Sequence, residues 1–262
     1  MSGDAAEHAL QRLAAAPRLL IALDFDGTLS PLEDDPMAAR MLPEARRALQ
    51  ALVALADTWV ALVSGRSLSD LRVIAEHRDD AAILLAGSHG AEYWTPADGL
   101  LEPTESAEDI VLRDRLRAAA EEAVRHLAGV IVEPKTFGFG VHSRTAAPDD
   151  ARTANDAVDA IVAAGAPHWR RRTGHNIVEY AFRHEGKDTA VAHLRELTGA
   201  DTALFAGDDV TDEDALGSLG PDDVGVHIGT GQATAASVVL PDIPAFAAFL
   251  SELARRRGSR PE

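Results

Sequence analysis

Short apolar runs alternate along the chain with longer amphipathic stretches. Residues 19–24, LLIALD, run apolar without a break into a carboxylate. Such a run predicts a strand buried on both faces. In PEARRALQALVALA (43–56), Ala45, Leu49, Leu52 and Leu55 share one helical stripe, and Pro43 suits a first turn. TWVALVS (58–64) predicts a second strand, SLSDLRVIAEH (67–77) a helix with Ser67 as its N-cap, and AAILLAG (81–87) a third strand. Buried strands separated by helices imply crossover connections and a parallel sheet.

The middle of the chain has a different rhythm. Residues 107–128 are expected to be helical, IVEPKTFGFGVHSR (131–144) a hairpin with Gly138 and Gly140 near its turn, and 148–164 a second helix. HWRRRTGHNIVEYAF (168–182) is expected to form a second hairpin turning near Gly174. Helix–hairpin–helix–hairpin predicts an α+β module with an antiparallel sheet. The parallel pattern then resumes, with helix 186–198, strand 202–207, a helix near 212–218, strands 223–229 and 236–240, and helix 244–257. The tail RRRGSRPE (255–262) is expected to fray. The fold expected is therefore α/β. A doubly wound, Rossmann-like parallel-sheet core (1–102 and 183–262) is interrupted by a smaller α+β domain at 103–182.

Composition narrows the function classes. Cysteine is absent, which removes disulfides, thiolate metal sites and a cysteine nucleophile, and fits a reducing compartment. The first 18 residues lack a basic segment followed by an apolar one, so no leader is expected, and no apolar run approaches membrane-spanning length. A cytoplasmic location is expected. Asp and Glu outnumber Lys and Arg by 42 to 25, a net charge of −17. That balance argues against nucleic-acid and anionic-membrane partners, but a cation and a few basic groups can still make one pocket positive. The expected partner is a small molecule. The oligomeric state is left open, and a monomer suffices.

In open parallel sheets, ligands bind beyond the carboxyl ends of the strands. Asp24 and Asp26 stand there after the first strand, Ser64 and Arg66 after the second, and His89 after the third. Asp208 and Asp212 follow strand 202–207, and Lys187 opens helix 186–198. Such carboxylates suit a hard cation, most naturally Mg²⁺. Lys187 and the Ser64 hydroxyl suit an oxyanion. A carboxylate beside a metal and a phosphoryl group can attack it.

DFDGT (24–28), Ser64, Lys187 and GDDVTDED (207–214) resemble, in order, the four motifs of the haloacid-dehalogenase-like phosphatases. The resemblance implies that Asp24 is the nucleophile and that Asp26 is acid and then base. It implies that Ser64 and Lys187 hold phosphoryl oxygens. It also implies that Asp24, the Asp26 carbonyl and Asp208 ligate Mg²⁺, with Asp212 ligating through water or orienting a ligand. The 122 residues between Ser64 and Lys187 leave room for an inserted cap domain there. DFDGTLSPL, SGR (64–66), GSHG (87–90), VEPK (132–135), HSR (142–144) and GDDVTDE further resemble the trehalose-6-phosphate phosphatase family. That resemblance implies hydrolysis of trehalose 6-phosphate, with Glu133, Lys135 and Glu179 holding sugar hydroxyls. Two steps depart from the family pattern. Asp188 follows Lys187 where a glycine is usual, and Ser143 stands where a tyrosine is usual.

Other readings stay open at single positions. Ser64 also suits a helix cap, Arg66 suits either substrate or a core carboxylate, and His89 suits either a substrate contact or a core or hinge contact. Glu133 and Lys135 suit an exposed hairpin pair, Asp214 an exposed helix start, and His142, Trp169 and His175 packing or surface positions. For the whole chain the alternatives are a phosphatase for sucrose 6-phosphate or a glycosyl-3-phosphoglycerate, and a non-catalytic sugar-phosphate sensor.

Overall fold

The computed structural model describes residues 2–101, 105–174, 176–231 and 233–259. The strands in chain order are β1 (Leu19–Leu23), β2 (Thr58–Val63), β3 (Leu84–Gly87), β4 (Glu92–Thr95), β5 (Gly99–Leu101), β6 (Ile131–Lys135), β7 (Gly138–His142), β8 (Arg170–Gly174), β9 (Ile177–Ala181), β10 (Thr202–Gly207), β11 (Val224–Ile228) and β12 (Val238–Leu240). The helices are α1 (Ser2–Ala15), α2 (Pro43–Val53), α3 (Leu68–Ile74), α4 (Ala107–Val124), α5 (Pro148–Gly165), α6 (Lys187–Thr198), α7 (Glu213–Ser218) and α8 (Ile243–Gly258). They fall into two compact units, Met1–Glu102 with Glu185–Glu262, and Pro103–His184. The first boundary expected from the sequence, at 102–103, lies outside the described residues.

The larger unit is built on one sheet of order β12-β11-β10-β1-β2-β3-β4-β5. From β12 to β3 the neighbours are parallel, and β4 and β5 add antiparallel. Counting only the parallel strands along the chain, the order is 3-2-1-4-5-6, with its switch between β1 and β10. Strand alternation serves both faces. Leu19, Ile21 and Leu23 of β1 join one core with residues of α2 and α8, while Leu20 and Ala22 join a second core with residues of α6 and α7. That is why β1 reads as an unbroken apolar run.

The smaller unit has a four-stranded antiparallel sheet, β6-β7-β9-β8. Phe139, Val141, Val178 and Tyr180 form its core with Leu116 and Ala120 of α4 and Val158 and Val162 of α5. Among the described residues, no helix of either unit is long and apolar enough to cross a membrane.

Several local expectations are corrected. The first hairpin turns at Thr136–Phe137, and Gly138 and Gly140 lie inside β7. The third strand begins at Leu84, because Ala81 closes a turn on Arg78. Helix α3 stops at Ile74, with Glu76 already left-handed (φ 52°). The β4–β5 hairpin has no counterpart in the sequence pattern, its strands being too short to show a period. His175 lies outside the described residues.

The tail is also ordered further than expected. Helix α8 runs to Gly258, and Arg257 is 6% exposed. Its guanidinium donates to the carbonyls of Leu13, Ala16 and Asp57 and to the Thr58 hydroxyl, tying α8 to α1 and the start of β2. Replacing Arg257 with Met removes all four of these charge-assisted hydrogen bonds. Urea unfolding is expected to show a loss of about 3 kcal/mol, and a loss within error would remove Arg257 as an anchor.

Candidate active site

The alternation of β1 continues past its last paired residue. Leu23 and Phe25 both enter the first core, and Phe25 is fully buried. Asp24 and Asp26 therefore share the opposite side. The Asp24 amide donates to Ala206 of β10 at 2.9 Å, which fixes the carboxylate at the sheet's switch point. The chain then turns sharply. Gly27 has φ 78°, and a Cβ there would lie 2.0 Å from Asp208 Oδ2. Only glycine allows motif residues 24–28 to lie against the acid that follows β10.

Lys187, the first residue of α6, is 4% exposed and reaches two buried carboxylates. Its Nζ lies 2.6 Å from Asp24 Oδ1 and 2.6 Å from Asp212 Oδ1. Asp212 is fully buried, and its Oδ2 accepts from the amides of Asp208 and Asp209 at 3.0 Å each. Both Asp212 oxygens are thus engaged, one by Lys187 and the other by the loop amides. The Thr28 hydroxyl, also fully buried, lies 3.2 Å from Asp24 Oδ2 and 3.4 Å from Asp208 Oδ1.

The electrostatics show an excess of negative charge. Burial pushes the Asp24 carboxyl well above the usual range, Lys187 opposes this, and Asp212, Asp208 and Asp26 add repulsion. Burial and the Asp212 charge push Asp208 up to about 7. Burial works against the Lys187 ammonium, but Asp212 and Asp24 outweigh it and hold the proton on. Carboxylate oxygens of Asp24, Asp208 and Asp212 lie within 4.8 Å of one another. An all-oxygen donor set with unbalanced charge fits a hard divalent cation.

The neighbouring strand ends add a second layer. Arg66 grips Asp26 with both arms, Nε to Oδ2 at 2.6 Å and Nη2 to Oδ1 at 2.7 Å. Ser64 is 2% exposed, and its Oγ accepts the Arg66 amide. Ser67, not Ser64, caps α3. His89 is 8% exposed and left-handed (φ 58°), as is Ser88 (φ 48°), and the His89 amide donates to the Ser64 carbonyl. Glu92 steadies this strained loop by accepting from the Ser88 hydroxyl at 2.5 Å and the Leu68 amide at 3.1 Å. Asp214 is exposed in the first turn of α7. The sequence reading gave no role to Thr28 or Glu92. Thr28 lay within the first motif, while nothing in the pattern marked Glu92.

In the smaller unit, Glu133 lies at the centre of a charged cluster. Its Oε2 is 2.9 Å from Lys135 Nζ and 2.6 Å from His142 Nε2. Lys135 Nζ is also 3.6 Å from Glu179 Oε1. Burial works to raise the Glu133 carboxyl, but His142 and Lys135 hold it down to about 2. His142, expected as a packing or surface residue, is thus part of this cluster, whereas Trp169 is core at 6% exposed.

The fold is shared with a sugar phosphatase of haloacid-dehalogenase subclass IIB, which superposes with a TM-score of 0.58 at 14% identity, covering 88% of this chain and 96% of that one. The trehalose-phosphatase family profile matches residues 22–239. The trehalose-phosphate phosphatase of Mycobacterium marinum is 34% identical over 249 residues, covering 91% of this chain and 62% of that protein. The chain spans 60–67% of the length of this and other mycobacterial relatives. Among solved structures, the C-terminal domain of the Candida albicans trehalose-6-phosphate phosphatase superposes with a TM-score of 0.82 at 20% identity, covering 95% of this chain and 96% of that one. The C-terminal domain of a Candida albicans trehalose synthase regulatory protein superposes at 0.71 with 16% identity, covering 94% and 97%. The chain belongs to the trehalose-phosphatase family.

The acid cluster predicts a measurable link to metal. At a hundredfold excess over its dissociation constant, a divalent cation is expected to stabilise the protein by about 2.7 kcal/mol. Asp208→Asn is expected to abolish that gain while leaving the metal-free protein at least as stable, since it removes one repelling charge. Thermal melts with and without Mg²⁺ test this, and an undiminished rise in the variant would remove Asp208 from the metal site.

Proposed function

We propose that the chain is a Mg²⁺-dependent phosphatase that hydrolyses trehalose 6-phosphate to trehalose and phosphate through an aspartyl-phosphate. The observation that carries this reading is the buried Asp24–Lys187–Asp212 contact beside Asp208, in a chain of this family. Asp24 is the nucleophile: its carboxylate forms the bond to phosphorus as the bond to the sugar oxygen breaks. Asp26 gives that oxygen its proton, then takes one from the water that attacks phosphorus and frees Asp24. Asp26 is paired with Arg66, so the acid step requires that pair to open. Arg66 turning to the phosphoryl oxygens would open it.

Ser64 and Lys187 are the proposed phosphoryl ligands, with His89 contacting substrate nearby. Mg²⁺ held by Asp24, Asp208 and the Asp26 carbonyl, with Asp212 orienting, would supply positive charge to the phosphoryl oxygens. In the smaller unit, Glu133, Lys135 and Glu179 are the proposed readers of sugar hydroxyls. The proposed setting is the cytoplasm, in keeping with a sequence without cysteine.

Phosphate release with Mg²⁺ from trehalose 6-phosphate, glucose 6-phosphate, sucrose 6-phosphate and glucosyl-3-phosphoglycerate tests the substrate. Trehalose 6-phosphate is expected to be preferred, and preference for another member overturns the substrate assignment. Asp24→Asn is expected to lower kcat by at least about a thousandfold with an unchanged circular dichroism spectrum. A variant that keeps most of its turnover removes Asp24 as nucleophile.

A further inference from the structure

Strand β7 runs through the smaller unit's sheet between β6 and β9. Its register sets Gly140 directly opposite Glu133 on one side and Glu179 on the other. Phe139 and Val141 point into the helix-covered core, so Gly140 belongs to the other face, with the charged cluster. Two strand spacings separate β6 from β9, roughly 9.5 Å. Lys135 bridges that gap. It starts on β6, two residues beyond Glu133, and its Nζ reaches both Glu133 Oε2 and Glu179 Oε1. Its side chain therefore crosses β7. The lane it crosses lies over Gly140, where a Cβ would sit 3.6 Å from Lys135 Cε and 3.0 Å from Ile177 Cδ1. A bare methyl there meets Lys135 at ordinary contact distance and asks Ile177 for a small shift. A branched side chain fills the lane.

We propose that Gly140 is a positioning residue for sugar recognition. By carrying no side chain it lets Lys135 span the strand and hold two carboxylates in one row. Without the ammonium between them, Glu133 and Glu179 lose the group that links them, and Glu133 keeps only its contact with His142 among those described. With it, the row offers acceptor, donor and acceptor in sequence, a pattern that matches neighbouring hydroxyls on a pyranose, each of which can donate and accept. The inference rests on the reading of Glu133, Lys135 and Glu179 as sugar ligands. Gly140 acts only through Lys135.

Gly140→Val is expected to displace Lys135, and two readouts follow. By carbon NMR, the Glu133 carboxyl, held down to about 2 in the parent protein, titrates closer to the ordinary value of a glutamate. The KM for trehalose 6-phosphate rises about tenfold or more, the loss of one charge-assisted hydrogen bond, while kcat stays within about twofold. Gly140→Ala behaves as the parent. Gly140→Ser, with one atom beyond Cβ, is intermediate and stands in should the valine variant misfold. In a Lys135→Met background, Gly140→Val adds nothing further. An unmoved Glu133 titration in Gly140→Val overturns the proposal, as does a KM effect that persists at full size in the Lys135→Met background. A shifted titration with an unchanged KM overturns it too, and locates the error in the sugar-binding reading of the three charged residues.

Discussion

One buried ammonium, on Lys187, lies between the carboxylates of Asp24 and Asp212, and the larger unit is arranged to keep it there. Burying an ion pair is costly, and removing one partner from such a pair is costlier still. The site meets the first cost with short contacts and further hydrogen bonds. Asp212 uses its second oxygen to hold two backbone amides, and Thr28 stands beside Asp24 and Asp208. Each participant arrives from a different part of the sheet: Asp24 from the end of β1, the 208–212 loop from the end of β10, and Lys187 from the start of α6. The parallel order of the strands makes the ends of β1 and β10 neighbours, so the topology itself is what concentrates the charge.

Fold alone does not carry the chemistry. A trehalose synthase regulatory domain has the same architecture as this chain. What the proposed chemistry needs in addition is a set of acids held around an ammonium, as Asp24, Asp212 and Lys187 are here. The charged cluster of the smaller unit follows the same rule on a different scaffold. There too an ammonium lies between two carboxylates, now on the open face of an antiparallel sheet.

Much of this was legible in the sequence, for physical reasons. Strands buried on both faces must be apolar throughout, so β1, β2 and β10 announced themselves and the α/β class followed. The charged residues at their ends stood out against those apolar runs, since burial of a charge needs a partner. Less legible was whatever depended on short elements or on contacts distant in the chain. Strands β4 and β5 have four and three residues, below the length at which a period shows. Glycines 138 and 140 looked like turn residues, because nothing local tells close strand packing from a turn. Arg257 looked like part of a loose basic tail, since its acceptors lie at residues 13, 16, 57 and 58. Arg66 was read both as a substrate ligand and as a partner for a core carboxylate, and only the fold brings it onto Asp26.

The pairing of β1 with β10 has a consequence for the order of synthesis. The central strand of the sheet leaves the ribosome with β2 and β3, but its other edge waits for residues 202–207, with the whole smaller unit intervening. Until residues 202–207 emerge, β1 is therefore an edge strand of strongly apolar sequence, the kind that pairs with the wrong neighbour. Charge offers some protection: Asp24 and Asp26 at its end, and the acidic balance of the chain as a whole, discourage association of one nascent chain with another. The smaller unit, contiguous in sequence, can fold while the larger one is still incomplete. The acids of the site and the lysine that bridges two of them meet only once residues 202–212 have emerged.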